Sequence, residues 1–333
     1  MLYVTTRDSR DAFTAYRTLN EERGPDGGLY LPMRMPDFGS LMQKLPYQTF
    51  GQNVADVLNV LLNTKLTGWD VEFSVGRAPV RFHRISRRIL MAEAWHNPGK
   101  DLGHVVSCLI NRLRKAGDVQ RPIGNWAHIA VKVAVLFGIF GEVMKERTFE
   151  NSFPMDVSAP SGDFSSVMAA WFGRSWGLPI GNIICCCNEN DEIWDLVHYG
   201  QMRTDAVAIK TTTPECDFVV PPNLEYLICA TQGRGEVERF VECCRTGAVY
   251  TLQGPNLERL RAGLYVRVIS QRRADSVIPN VYNTTGYVMD LYTALSYGGL
   301  LDYWAQTGES RASLILSEKS PADTVENSEN PGT

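Results

Sequence analysis

The chain has 333 residues, of which 44% are hydrophobic and 21% are charged, a composition typical of a globular protein with a substantial core. The formal net charge of −4 offers no basic surface, so we expect no nucleic-acid partner. The N-terminus carries no apolar secretory segment and the longest apolar run, residues 133–140, is too short to span a bilayer, so we expect no membrane partner.

The eight cysteines lack the C-x-x-C spacing of zinc or dithiol sites, so no metal site is predicted from them. Three of them form the run 185–187 in an apolar stretch, where we expect them to pack as small hydrophobic side chains. Free cysteines are typical of a reducing compartment, which predicts a cytoplasmic protein. His96 and His104 could bind a metal or shuttle protons, but ordinary hydrogen-bonded histidines are the more common reading of such a pair.

The first part of the chain predicts short elements followed by two longer helices. A turn precedes a strand at 29–32, apolar spacing of three and four residues predicts two helices within 41–66, and an apolar patch predicts a strand at 89–92. One apolar face predicts an amphipathic helix over 101–114, and a more continuously apolar stretch predicts a buried helix over 126–144.

The rest of the chain alternates strands with helices, which predicts an α/β fold with an open sheet. Strands are predicted at 155–159, 180–187, 264–270 and 312–316, and helices at 167–176, 223–231, 236–245, 256–262 and 287–304. From residue 320 onward the chain is polar with two prolines, and we expect it to be frayed.

The stretch SAPSGDFSSVMAAW, residues 158–171, joins a predicted strand to a predicted helix through small polar residues. That arrangement is typical of an anion cradle at a helix N-terminus. However, a carboxylate at Asp163 within ~4 Å of a phosphate dianion would cost on the order of several kcal/mol at an effective dielectric constant of about 20. As a helix cap, the same carboxylate would contribute ~1 kcal/mol. An anion site and a capped loop without an anion both remain open, and the charge favours the capped loop.

Six stretches, in order along the chain, resemble segments of the threonine synthases, which are pyridoxal-phosphate (PLP) enzymes of fold type II. The loop stretch above resembles the family's Gly-Asn-Phe-Gly phosphate loop. The other five are RDSRDAFTAYRTLNEERGPDGGLYLP, IGNWAHIAVKVAVLFGIF, KTTTPECDFVVPPNLEYLI, VMDLYTALSYG and SLILSEKSPADTVE. The resemblance implies an open, mostly parallel α/β sheet with flanking helices, of the tryptophan-synthase-β type. It divides the chain into an N-terminal region (1–90), an α/β domain (91–318) and a tail (319–333).

The chain also departs from the family. AWHNPGKDLGH resembles the motif that contains the PLP-binding lysine, but it is shorter before Lys100. Residues 109–124 lead almost directly to Asn125 and Trp126, without the family's Ser-Gly-Asp-Thr-Gly loop. The resemblance therefore implies a divergent member in which part of the core, the small domain that clamps the substrate, is deleted.

The resemblance assigns a role to each matching residue. Lys100 would bond to PLP, with His96 and Asp101 beside it, although a solvated lysine at a helix start is the more common role for such a residue. The PLP phosphate would lie on Ser161, Gly162, Asp163, Phe164, Ser165 and Ser166. Ser317, or Glu318 after a shift of one residue, would face the pyridine nitrogen.

Two kinds of function follow from the resemblance. The first is a PLP-dependent lyase that acts on a small amino-acid-like substrate, with ordinary threonine synthesis not expected because the substrate loop is missing. The second is a catalytically inactive scaffold or regulatory binding protein. An enzyme that reuses the cleft without PLP is a further alternative.

Overall fold

A computed structural model describes residues 1–76, 80–94, 108–109, 126–146 and 152–322. The strands are β1 (Leu2–Thr5), β2 (Phe13–Thr14), β3 (Tyr30–Pro32), β4 (Arg81–Arg84), β5 (Ile89–Glu93), β6 (Met155–Pro160), β7 (Ile180–Cys187), β8 (Gln201–Met202), β9 (Tyr250–Thr251), β10 (Leu264–Val268) and β11 (Ser313–Ser317). The α-helices are α1 (Ala15–Asn20), α2 (Gly39–Lys44), α3 (Phe50–Leu62), α4 (Gly68–Val75), α5 (Trp126–Lys145), α6 (Ser165–Ser175), α7 (Glu192–Tyr199), α8 (Leu224–Gln232), α9 (Arg234–Thr246), α10 (Pro255–Arg261), α11 (Gln271–Thr285) and α12 (Leu291–Thr307). Short 3-10 turns occupy Leu45–Tyr47 and Pro214–Cys216.

A six-stranded sheet in the order β10-β7-β6-β11-β5-β4 forms the centre of the structure. Its strands pair in parallel except for the edge strand β4, which is antiparallel to β5. The predicted open, mostly parallel sheet with flanking helices is therefore confirmed. Both faces are covered, so the strands are apolar on both sides, as parallel strands usually are.

The cysteine run in β7 shows how the sheet separates two cores. Successive side chains of a strand point to opposite faces, so Cys185 and Cys187 join the larger core, which includes α5 and α6, while Cys186 joins a smaller core with α11 and α12. All three side chains are fully buried, which confirms that they pack as small hydrophobic groups.

Helix α5 lies in the larger core and packs against α3 and α6. Among the described residues it is the helix with the length and hydropathy to cross a membrane, but 89% of its apolar window is buried inside the protein, as in a core helix. The apolar composition of α5 is therefore explained by its burial in the core of the protein. The packing is close, because a Cβ on Gly138 would lie 2.6 Å from Cε2 of Phe50.

The N-terminal residues form a separate antiparallel sheet in the order β2-β1-β3. This sheet is attached to α8 through Glu225, which lies 3.0 Å from Nη2 of Arg7 and 3.4 Å from Nη1 of Arg23. The proposed domain boundary at residue 90 stays a prediction, and the strands that precede and contain it, β4 and β5, pair with each other in the central sheet.

Two of the differences from the sequence expectations concern α11 and α12. Helix α11 was not predicted, because its sequence is polar and contains Pro279. The predicted helix 287–304 begins only at Leu291, because the Asp290 carboxylate accepts hydrogen bonds from the backbone N–H groups of Tyr292 and Thr293 and caps α12 there. The predicted helix 101–114 lies outside the described residues except for Cys108 and Leu109.

We expect Asp290→Ala to lower the free energy of unfolding by about 1–2 kcal/mol, because two N–H groups at the start of α12 lose their acceptor. Asp290→Asn should retain most of the stability, since asparagine is an equally good N-cap. Urea denaturation of both variants, with the exposed Asp11→Ala as the control, measures the effect. Equal losses for the alanine and asparagine variants would contradict the capping role.

Candidate functional site

The candidate site lies where the neighbouring strands β6, β11 and β5 end. Ser317 of β11 stands in register with Glu93 of β5, and Ser161 directly follows the last residue of β6. In open parallel sheets, ligands bind outside the carboxyl ends of the strands. The fold therefore places Ser317 and the loop 161–166 at the edge where a ligand is expected.

The loop 161–166 is a tight turn with two residues at positive φ. Gly162 has φ 46°, which glycine adopts readily, and Phe164 has φ 70°, which is uncommon for a side chain of that size. Phe164 is fully buried, and this burial holds the unusual conformation in place. The N–H of Ser161 donates to the carbonyl of Cys186 at 2.8 Å, and the N–H of Phe164 donates to the carbonyl of Ser161 at 2.8 Å.

The predicted capping role of Asp163 is modified by the structure. Helix α6 begins at Ser165, so the N-cap position belongs to Phe164, whose side chain makes no capping bond. Asp163 acts from one position earlier, because its Oδ1 accepts hydrogen bonds from the Ser165 N–H at 2.9 Å and from the Ser165 hydroxyl. The carbonyl of Asp163 is held by the side chain of Asn223 at 2.9 Å. The carboxylate thus takes up donors that an anion would need.

Sequence reasoning missed the principal charge in this site, Lys132. Its side chain projects from the core helix α5, with 9% of its surface exposed. Its Nζ donates to Oγ of Ser166 at 2.7 Å and to Oε2 of Glu318 at 3.3 Å, and the Ser166 hydroxyl donates to the other Glu318 oxygen. A lysine inside a long apolar helix was the available signal, since buried lysines nearly always have a carboxylate partner.

Lys132 and its neighbours hold one another in their charged forms. Burial alone would lower the pKa of Lys132, but the attraction of Glu318 and Asp163 outweighs burial and the pKa is raised. Burial alone would raise the pKa of Asp163, but the positive charge of Lys132, with a contribution from His128, lowers it. One ammonium group therefore faces two carboxylates.

Ser317 and Glu318 take different positions, although the sequence could not choose between them. Ser317 is buried at the end of β11, where its hydroxyl accepts a hydrogen bond from Thr293 at 3.0 Å. Glu318 turns towards the loop and contacts Ser166 and Lys132. Ser317 is thus the polar side chain at the middle of the sheet edge, and Glu318 is part of the charge cluster.

The remaining predicted residues are not described. His96, Lys100 and Asp101, together with His104, lie outside the described residues, so their proximity to the loop stays a prediction.

Within the described ranges, parallel strand pairing is confined to the six-stranded sheet. In the same ranges, no group of three His, Cys, Asp or Glu side chains could hold a metal ion.

The amides at the start of α6 give the loop the shape of an anion site. In the part of the chain that the structure describes, the N–H groups of Ser166 and Val167 have no acceptor, as is usual in the first turn of a helix. A Cβ on Gly162 would meet the carbonyl oxygen of Glu215 at 3.7 Å, an ordinary van der Waals contact, so the turn is not crowded on that side. The shape is that of an anion cradle, whereas the charges beside it are mainly negative.

We expect Lys132→Gln to lower the free energy of unfolding by about 3 kcal/mol, because removing one partner of a buried ion pair leaves carboxylates uncompensated. The double variant Lys132→Gln/Glu318→Gln should recover part of that loss. Urea denaturation measures both, with Lys145→Gln at the exposed end of the same helix as the control.

The defect of Lys132→Gln should also depend on pH. The folded pKa of Asp163 is lowered, so the stability it contributes is present above the ordinary aspartate pKa and is lost as pH falls through the folded value. The folded pKa of Lys132 is raised, so its contribution is lost only as pH rises through that value. The difference between wild type and Lys132→Gln should therefore shrink on acidification, and a constant difference would contradict the pairing.

Comparison with known proteins finds similarity in sequence to threonine synthases and to a threonine synthase-like protein. No protein-family model matches the chain. Human threonine synthase-like 1 is 25% identical over 177 residues, which cover 52% of this chain and 24% of that protein. The threonine synthase of Pseudomonas aeruginosa is 22% identical over 176 residues, which cover 51% of this chain and 36% of that protein. The chain thus spans only a quarter to about a third of the length of these relatives.

Solved structures extend the likeness to the whole fold. PLP-bound threonine synthase from Brucella melitensis superimposes with a TM-score of 0.83 at 16% identity, covering 98% of this chain and 90% of that one. Yeast threonine synthase gives a TM-score of 0.82 at 16% identity, covering 100% of this chain and 90% of that one. At this level of identity the superpositions support the fold, and the relatives in sequence support the predicted resemblance.

Proposed function

The chain is a divergent relative of the threonine synthases, and on that premise we propose that it is a binding or regulatory protein that does not hold PLP through the loop 161–166. The observation that carries this proposal is the engagement of the loop's donors by the protein's own carboxylates. Asp163 accepts from the N–H and hydroxyl of Ser165, and Glu318 accepts from Ser166 and Lys132.

The charge at the loop argues against a phosphate dianion. Lys132 contributes one positive charge, whereas Asp163 and Glu318 contribute two negative charges. At ~4 Å and an effective dielectric constant of about 20, each pair of like unit charges costs about 4 kcal/mol. Lys132 cancels one of the two repulsions, so a dianion still meets a net repulsion of about 8 kcal/mol. The amides of Ser166 and Val167 do not offset it, because a net hydrogen bond to a charged group contributes only about 1.5–3 kcal/mol.

PLP, when bound, supplies an electron sink for reactions at an amino-acid carbon. Its phosphate does not fit the charges of this loop, and we derive no reaction step through it. Ser317 does have the type and position expected of a group at the pyridine nitrogen, being a buried hydroxyl at the end of a central strand. The site thus keeps the Ser317 hydroxyl, whereas the loop that would hold the phosphate is surrounded mainly by negative charge.

A PLP-dependent lyase that uses Lys100 is the second candidate. The retained turn at Gly162 and Phe164 and the buried Ser317 favour it. In that case the substrate would be small and amino-acid-like, and ordinary threonine synthesis would remain unexpected because the sequence lacks the substrate loop. A cytoplasmic location suits either candidate, since none of the eight cysteines, all of them among the described residues, forms a disulfide.

Adding PLP to the purified full chain discriminates between the two candidates. We expect no yellow protein-bound absorbance and no change in melting temperature for the wild type. Borohydride reduction followed by peptide mapping then identifies any lysine that has bonded to PLP. A stoichiometric label on Lys100 would overturn the proposal in favour of the lyase, whereas a label on Lys132 would contradict the buried ion pair.

Removing the two carboxylate charges should restore an anion site. We expect inorganic phosphate to raise the melting temperature of Asp163→Asn/Glu318→Gln in a saturable way, with an affinity at least tenfold above that of the wild type, because two repulsions of several kcal/mol are removed. The exposed pair Asp11→Asn/Glu238→Gln makes the same change in net charge and is the control. Sodium chloride at equal ionic strength separates binding from screening, and an equal response of control and test variants would refute the electrostatic explanation.

A further inference from the structure

A buried arginine, Arg267, lies near the end of β10 and takes no part in the loop 161–166 or in the cluster around Lys132. Strand β10 forms the edge of the central sheet that is opposite to β4. Only 9% of the surface of Arg267 is exposed, and arginines are almost never buried to this extent without a carboxylate partner. Within the described residues Arg267 forms no ion pair, so its charge has no direct counter-ion.

Hydrogen bonds show where the guanidinium group of Arg267 lies. The N–H of Ile269 donates to the carbonyl of Cys187 on β7, and in a parallel ladder alternate residues bond to the same neighbour. The backbone of Arg267 therefore faces β7, whereas the carbonyl of Val266 points away from the sheet. That carbonyl accepts a hydrogen bond from Nη1 of Arg267 at 2.8 Å. The guanidinium group thus lies at the outer edge of β10, which no other strand covers.

Two of the three guanidinium nitrogens of Arg267 have no acceptor. Nε is buried without a hydrogen-bond partner, and Nη2 donates to no acceptor in the described part of the chain. These two nitrogens form the planar fork with which an arginine holds a carboxylate at two points. Since Nε is covered, only a small planar group such as a carboxylate can reach this fork.

A second arginine, Arg273 of α11, lies beside the same turn of α12. A Cβ on Gly299 would lie 3.6 Å from Cβ of Arg267, and a Cβ on Gly298 would lie 3.9 Å from Cγ of Arg273. Asp302 follows Gly298 by one helical turn and therefore lies on the same side of α12. The two arginines and Asp302 thus form one cluster between β10, α11 and α12.

The cluster carries one positive charge more than it carries negative charges. Asp302 attracts Arg267, but it forms its ion pair with Arg273, at 3.0 Å. Two guanidinium groups therefore share one carboxylate, and burial lowers the pKa of Arg267. No acidic residue lies in the first turn of α11, although acidic residues are favoured at that end of a helix. The protein thus supplies too little negative charge at this position.

We propose that this cluster binds a small carboxylate that carries no amino group, with the carboxylate oxygens on the fork of Arg267. One such anion would make the cluster neutral. A phosphate dianion would instead leave an excess negative charge beside Asp302, and an amino acid would place its ammonium group against two guanidinium groups. The site does not include the loop 161–166, so the proposal is independent of whether PLP binds there.

Titration of the full chain with sodium acetate and sodium propionate, followed by melting temperature, tests the proposal against sodium chloride at equal ionic strength. We expect a saturable rise with at least one carboxylate, and at least tenfold weaker binding of inorganic phosphate and of glycine. Arg267→Met should weaken carboxylate binding at least tenfold. It should not lower the melting temperature in chloride alone, because it removes a buried charge that has no direct counter-ion. Asp302→Asn should tighten carboxylate binding severalfold, because a competing negative charge is removed.

The control variant is Arg272→Gln, which removes the same charge from an exposed position next to Arg273 and should leave the affinity unchanged. The proposal fails if neither carboxylate acts differently from chloride, or if phosphate or glycine binds as tightly as the carboxylates. It also fails if Arg272→Gln is as damaging as Arg267→Met, or if Asp302→Asn weakens binding. The Asp302→Asn comparison remains decisive even where Arg267→Met is unstable. Because these titrations contain no PLP, a negative result leaves the proposed function of the loop intact.

Discussion

The buried ammonium group of Lys132 is the constraint on which the candidate site depends. The buried length of helix α5 is apolar apart from His128 and Lys132, so Lys132 must find its partners inside the protein. It finds them in Ser166 and Glu318, with Asp163 nearby. Since these groups belong to a core helix, a loop and the end of β11, one charge connects three elements that are distant in sequence.

This connection changes what the loop can bind. A strand followed by small residues and a helix start creates open amides, and the turn at Gly162 and Phe164 keeps that geometry here. In an anion site, the positive charge would be reserved for the ligand. Here two carboxylates of the protein take that place, because a lysine buried without them would be strongly disfavoured. The loop thus has the backbone of an anion site and the charge balance of an internal salt bridge.

The charged groups at the β4 edge of the same sheet are arranged differently from those around Lys132. Around Lys132, the carboxylates of Glu318 and Asp163 both accept hydrogen bonds from other side chains or from the backbone of the protein. Around Glu93, the buried carboxylate lies 3.2 Å from Nε2 of the half-exposed His83, and the His83 ring lies 5.1 Å from that of Tyr287.

The sequence by itself determined most of the central strands, the core helix and their order along the chain. Apolar periodicity located β5, β6, β7, β11 and the core helix α5 within a few residues, because alternation and helical spacing are local properties. It also located the loop and its conflict of charges at Asp163. Polar composition hid α11, and the local pattern could not show that Asp290 delays the start of α12.

Only the tertiary structure decided which charges meet. Lys132 lies 34 positions from Ser166 and 186 from Glu318 in the sequence, and no local pattern links them. The structure likewise shows that Ser317 is buried at the end of β11 and that Glu318 turns towards the loop, although the two residues are adjacent in the sequence. Pairing of charges depends on distance in space, and spatial distance is fixed only when the strands take their order in the sheet.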